Sequence, residues 1–113
     1  MRPLYHPPLS EITVRGLLHA LSDPVRVCIY RRLSGADRVR NCVTFAHVGD
    51  KLLPKSSLSQ HFKVLREAGL IRSERKGVEL HNQSRGDELK EKFGRMIDAI
   101  LEAYEDEAGA SKT

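Results

Sequence analysis

The sequence predicts a mainly α-helical fold that carries one small β-hairpin. Apolar residues recur at helical spacing in successive stretches, and two short charged segments flank Lys76-Gly77, where glycine supplies the positive φ of a tight turn. The 113 residues suit one domain with one core, small enough for a partner subunit to supply part of the buried area. With 40% hydrophobic and 30% charged residues and no low-complexity tract, the composition is that of a globular protein, not a disordered one.

Residues 1–9, MRPLYHPPL, hold three of the five prolines and are expected to form an irregular arm. From Ser10, a candidate N-cap, Ile12, Val14, Leu17, Leu18 and Leu21 form the stripe of a first helix ending near Leu21. A second follows in SDPVRVCIYRRL, with Asp23 as cap, Pro24 at the first helical position, and Val25, Cys28, Ile29 and Leu33 inward. Residues 35–42 read as a polar loop with a short strand around Cys42 and Val43. Thr44 is then expected to cap a short third helix burying Phe45, Val48 and Leu52, stopped by Pro54.

The segment KSSLSQHFKVLREAGLI predicts a fourth helix with Leu58, Phe62, Leu65 and Ala68 inward, ended by Gly69 with Leu70 as a hydrophobic latch. Its start is open between two serines. Ser57 with Gln60 would form a capping box, whereas Ser56 as cap leaves Gln60 free to point outward. IRSERKGVELHNQ forms the hairpin, and from about Gly86 a long helix buries Leu89, Phe93, Met96, Ile97, Ile100, Leu101 and Tyr104 before fraying over residues 105–113. Residues 10–104 are thus expected to be the folded domain.

A short helix and turn ahead of a polar-faced helix, followed by a basic hairpin, is the order of a winged helix-turn-helix. The charge supports a polyanionic partner. Residues 1–85 hold 15 Lys/Arg against 7 Asp/Glu, whereas residues 86–113 hold 4 against 8. Lys55, Ser56, Ser59, Gln60, His61 and Lys63 are the candidate contacts of a helix entering the ~12 Å major groove of duplex DNA. Small hydroxyls allow close approach, glutamine can pair with adenine, and the lysines neutralise phosphates. Arg72, Arg75 and Lys76 of the wing are candidates for phosphates or an adjacent minor groove.

LSDPVRVCIYRRL at residues 21–33 and SSLSQHFKVLREAGLIRSERKG at 56–77 resemble the second helix and the recognition helix with wing of the ArsR/SmtB winged-helix transcriptional repressors. The resemblance runs over residues 10–104 and implies a homodimer formed by the first and last helices. It also implies an inverted-repeat operator, with repression until an inducer weakens the complex. The candidate interface comprises Leu17, Leu18, Leu89, Phe93, Met96, Ile97, Ile100, Leu101 and Tyr104. A stripe this wide from Leu89 onward exceeds the needs of one small core.

The inducer is not legible. Where the family carries a Cys-Val-Cys metal motif this chain reads Asn41-Cys42-Val43-Thr44-Phe45, with one thiolate, and residues 86–113 contain no histidine for the family's last-helix metal site. No metal and no cofactor are therefore expected. A redox pair of Cys28 and Cys42, or a Cys/His site using His6, His19 or His47, is the alternative, although nothing brings the two sulfurs into bonding reach. Cys28 reads most simply as a small core residue. No secretory signal or apolar run of ~20 residues is present, so a cytoplasmic protein without a membrane span is expected. The absence of a GxSxG elbow, P-loop or HExxH argues against an enzyme. A winged helix serving as a protein-interaction module is a further alternative.

Overall fold

The computed structural model describes residues 4–35 and 54–107, together with the backbone of 39–41, 47–48, 51–52 and 108–111. Four α-helices are described: α1 (Val14–Ala20), α2 (Pro24–Leu33), α3 (Lys55–Ala68) and α4 (Gly86–Ser111). The described strands are β1 (Val39–Asn41), β2 (His47–Val48), β3 (Lys51–Leu52), β4 (Ile71–Lys76) and β5 (Glu79–Ser84). A 3₁₀ turn, Leu9–Glu11, precedes α1.

Local chemistry accounts for the clearest boundaries. The Asp23 side chain accepts the Val25 N–H at 2.8 Å with Pro24 opening α2, as expected. Gly69 ends α3 at φ 91°, and the Leu70 N–H reaches back to the Leu65 carbonyl. A Cβ on Gly69 would lie 2.4 Å from Ile12, so packing as well as dihedral demands glycine. Gly77 at φ 65° turns the hairpin, Lys76 facing Glu79 across it.

Other boundaries move. Thr13, not Ser10, caps α1 by accepting the Gly16 N–H, because residues 9–11 are taken up by the 3₁₀ turn. The expected third helix over 44–52 is replaced, where the structure describes it, by β2 and β3 paired antiparallel, His47 with Leu52 and Val48 with Lys51. The intervening Gly49-Asp50 is a hairpin-type dipeptide, a local signal opposing the helical spacing of Phe45, Val48 and Leu52. Thr44, Phe45, Cys42 and Val43 lie outside the described residues, and the strand described nearby is β1, at 39–41. Helix α4 continues to Ser111, past the expected fraying after Tyr104.

The core joins the helices to the base of the sheet. Leu17, Ile29, Leu33, Leu65, Leu70, Ile71 and Leu89 are completely buried, with Phe62, Phe93 and Ile97 almost so. On α2 the buried residues are Val27, Ile29, Tyr30 and Leu33, while Val25 and Cys28 are only half-buried, so the inward face is rotated from the expected one. The wing is a three-stranded antiparallel sheet in the order β1-β5-β4, with Val39 opposite Gln83 and Ile71 opposite Ser84.

The N-terminal arm is tied to this sheet. His6 Nε2 accepts the Ser73 N–H at 2.9 Å, and Arg85 donates to the Pro7 carbonyl at 2.8 Å. Arg85 also grips Glu88 with two 3.0 Å hydrogen bonds, linking arm, sheet end and α4. Burial and the neighbouring Arg72, Arg66 and Arg85 lower the His6 pKa. The hydrogen bonds and charge of Arg85 lower that of Glu88 against the opposing effect of burial.

Candidate nucleic-acid interface

Helix α3 is anchored by its apolar side, and the anchoring decides what it exposes. Leu58, Phe62 and Leu65 are buried, Val64 is half-buried, and α1 and α2 pack against this side. Since residues at i, i+3, i+4 and i+7 share a face, Ser56, Ser59, Gln60 and Lys63 stand together on the opposite side, all exposed, beside exposed Lys55. Among the described residues none of these five side chains forms a hydrogen bond or ion pair.

The helix begins at Lys55 with Pro54 as N-cap and no side-chain capping bond. Neither serine caps it. The capping box of Ser57 with Gln60 is therefore absent, and the first-turn N–H groups are free of side-chain acceptors. Proline favours this start by fixing its own φ, and its carbonyl accepts the Leu58 N–H.

His61 sits between the exposed face and the core. Half-buried, its Nδ1 lies 3.4 Å from an Arg26 guanidinium nitrogen. Arginine only donates, so in this contact Nδ1 is placed as the acceptor. Arg26 is held in turn by the Ala20 carbonyl at 2.7 Å, the His19 carbonyl at 3.2 Å and Asp23 at 3.6 Å. Arg26, Ser56, Gln60 and His61 border one shallow recess. Arg26 was not among the sequence candidates. Its i,i+3 spacing to Asp23 is visible in the sequence, but its approach to α3 is a contact 35 residues apart.

The wing offers a different balance. Strand alternation puts Arg72 and Lys76 on one side with Glu74, and Arg75 on the other. Arg72 lies 3.4 Å from Glu88, and Lys76 faces Glu79, which also holds His81 at 3.2 Å. Arg66, at the end of α3, turns inward to donate to the Ser73 hydroxyl, which donates to buried Asn82. That chain fastens helix to wing. Val78, fully exposed, forms the wing tip.

The expected interface residues divide into two sets. Leu17, Leu89, Phe93 and Ile97 are buried inside the single protomer and have little surface left for a partner. Leu18 is 48% exposed, while Met96, Ile100, Leu101 and Tyr104 are half-buried. Tyr104 also donates to the Leu21 carbonyl at 2.6 Å, fixing α4 on the end of α1.

Cys28 is half-buried and unbridged, and Cys42 lies outside the described residues. Among the described residues no cluster of three or more His, Cys, Asp or Glu side chains could hold a metal ion, and no helix is long and apolar enough to cross a membrane.

Comparison with known proteins agrees with this geometry. A family model described as a helix-turn-helix domain matches residues 21–74. Over 102 residues the chain is 34% identical to the HTH-type transcriptional repressor SmtB of Mycobacterium tuberculosis, in both strain CDC 1551 / Oshkosh and strain ATCC 25618 / H37Rv; the match covers 88% of this chain and 70% of the relative. The chain belongs to the ArsR/SmtB family of winged helix-turn-helix transcriptional repressors. A crystal structure of M. tuberculosis Rv0081 has the same fold, with a TM-score of 0.61 at 22% identity over 90% of this chain and 98% of that one. The match over residues 21–74 spans both α2 and α3 and reaches Glu74 in β4, the part of this ArsR/SmtB chain that carries the exposed polar face.

Proposed function

We infer that this chain is a transcriptional repressor that binds an inverted-repeat DNA operator as a homodimer, with α3 in the major groove. The observation that carries the inference is the outward face of α3: Ser56, Ser59, Gln60 and Lys63 are exposed and, among the described residues, unengaged while the opposite face is locked into the core. Ser56 and Ser59 let the helix approach closely, Gln60 offers a donor and an acceptor to adenine, and Lys55 and Lys63 meet phosphates. The uncapped first-turn amides of α3 add favourable interactions with a phosphate. His61, held beside Arg26, borders the same surface and is a further contact there. Lys76, Arg75 and Arg72 contribute through the wing, Arg72 least because Glu88 competes for it.

The dimer uses α1 and α4. Leu18, Met96, Ile100, Leu101 and Tyr104 supply its apolar contacts, and Leu17, Leu89, Phe93 and Ile97 support them from beneath. Residues 10–104 make up the DNA-binding and dimerisation domain. Two copies of α3 related by a two-fold axis would meet half-sites about one helical turn apart.

Fluorescence anisotropy with duplex from the chain's own promoter and with random duplex, at several salt concentrations, tests the reading. Promoter DNA is expected to bind at least ~10³-fold more tightly than random DNA, with affinity falling steeply as salt rises. Equal affinity for the two, or a monomer at binding concentrations in sedimentation, would overturn it.

A further inference from the structure

The end of α1 is held by side chains from two other helices. The last carbonyls of a helix have no partner inside it, and here those of His19 and Ala20 accept from the Arg26 guanidinium of α2, from Nη2 at 3.2 Å and from Nε at 2.7 Å. The carbonyl of the next residue, Leu21, accepts the Tyr104 hydroxyl of α4 at 2.6 Å. Consecutive carbonyls thus tie α4 to α2 through the end of α1. Arg26 carries the contacts onward, since its Nη1 lies 3.4 Å from His61 Nδ1 on α3 and 3.6 Å from Asp23.

A guanidinium is planar, and its donors diverge at fixed angles. Once Nε and Nη2 are committed to the α1 carbonyls, the direction of Nη1 is set, so His61 meets a donor whose position α1 dictates. The Arg26 side chain is only 12% exposed, which leaves it little room to swing elsewhere. The apolar contacts of Leu58, Phe62 and Leu65 hold α3 against α1 and α2, but hydrophobic attraction is non-directional and does not fix the rotation of a helix about its own axis. A hydrogen bond is directional. His61 adjoins Gln60, and Arg26, Gln60 and His61 border one recess, so the directional contact lies at the edge of the exposed face.

We propose that Arg26 is a positioning residue that transmits the seating of α4 on α1 to the exposed face of α3, so that the geometry of the subunit contact sets affinity for the operator. The inference rests on the operator and dimer reading above, in which α1 and α4 form the contact and α3 enters the groove. An arrangement of subunits that moves Tyr104 shifts the Leu21 carbonyl, with it those of Ala20 and His19, and so the guanidinium that orients His61. A signal that repacks α4 against α1 reaches the groove-facing side chains by this route, to the extent that it discriminates between the two arrangements.

Double-mutant cycles on the full chain, with operator affinity read by anisotropy on promoter duplex, test the proposal. Arg26→Lys keeps the charge and loses the planar fork. It should weaken operator binding roughly tenfold, whereas in a His61→Ala background the same substitution should change it by less than about twofold. In a His61→Gln background, where the side-chain oxygen still accepts from the guanidinium, the roughly tenfold loss should return. A substitution that merely loosened the fold would act equally in all these backgrounds. Tyr104→Phe keeps the ring at the subunit contact and removes only the hydroxyl. The dimer should persist in sedimentation while operator binding weakens roughly threefold, and adding Arg26→Lys should give no more than the Arg26→Lys loss alone. Full operator affinity in Arg26→Lys, or the same loss with and without the His61 ring, overturns the role of Arg26. Independent losses from Tyr104→Phe and Arg26→Lys overturn the link to α4 and uphold Arg26 as the positioning residue of His61. An unsubstituted chain that binds promoter and random duplex alike overturns the operator reading itself, an outcome seen before any variant is made.

Discussion

Helix α3 and the β4–β5 wing both carry the basic residues of a nucleic-acid surface, yet the two regions hold them differently. On α3, Lys55 and Lys63 have no partner among the described residues, and small polar side chains lie between them. On the wing the side that bears Arg72 and Lys76 is countered: Glu88 lies by Arg72, Glu79 faces Lys76, and Glu74 shares their side. The number of cations therefore does not by itself set the attraction for phosphate. A helix amide ladder satisfies itself internally and frees the outer side chains, whereas a short exposed hairpin carries cross-strand charge pairs that stabilise it and screen it.

The joint between the two regions gives the largest expected effect. Gly69→Ala combines a left-handed dihedral with a 2.4 Å approach to Ile12, and should cost about 3 kcal/mol in urea denaturation. A cost below ~1 kcal/mol would show that helix and wing are joined adaptably and would dissolve the contrast.

Next, Gln60→Ala should cost ~1–3 kcal/mol of operator binding, concentrated at one base position, with stability changed by less than ~0.5 kcal/mol because α3 has no capping box to lose. General destabilisation without a position-specific binding defect would return Gln60 to a capping role.

The wing's attachment should be pH-dependent in two windows. His6 titrates below its ordinary 6.5 when folded, so its contribution is complete above about that pH and is lost as pH falls toward the lowered value. Glu88, lowered from 4.5 mainly by Arg85, contributes fully above that value and loses its share as pH falls through the folded one. With Glu88 42% exposed, solvent screening keeps its share below ~1 kcal/mol. Denaturation curves from pH 7 to 3 should flatten in the upper window for His6→Ala and in the lower for Glu88→Gln.

The smallest effects concern salt. Lys63→Ala should reduce the salt slope of duplex binding by ~1 if it meets a phosphate, and Lys76→Ala and Arg72→Ala by less, since Glu79 faces the one and Glu88 lies beside the other. An Arg72 effect as large as that of Lys63 would remove the distinction between helix and wing.

The helix α3 stripe, its stop at Gly69, the opening of α2 at Asp23-Pro24 and the turn at Gly77 were legible because each rests on neighbours within one or two turns. The expected helix over 44–52 failed where β2 and β3 are described, since three apolar residues at helical spacing also fit a hairpin once Gly49-Asp50 is weighed. In the sequence the wide stripe of α4 presents one continuous surface. In the fold Leu89, Phe93 and Ile97 are spent inside the protomer, a division that periodicity alone does not express.

By itself the chain determined its helical order, its hairpin and the polar composition of α3, because caps, positive φ and 3.6-residue spacing are local chemistry. Tertiary structure alone decided that Gln60 is free, that Arg26 reaches His61, and that His6 and Pro7 dock on Ser73 and Arg85. Those last contacts join residues 35 to 78 positions apart, and their partners are chosen by how the packed core brings distant faces together, not by spacing along the chain.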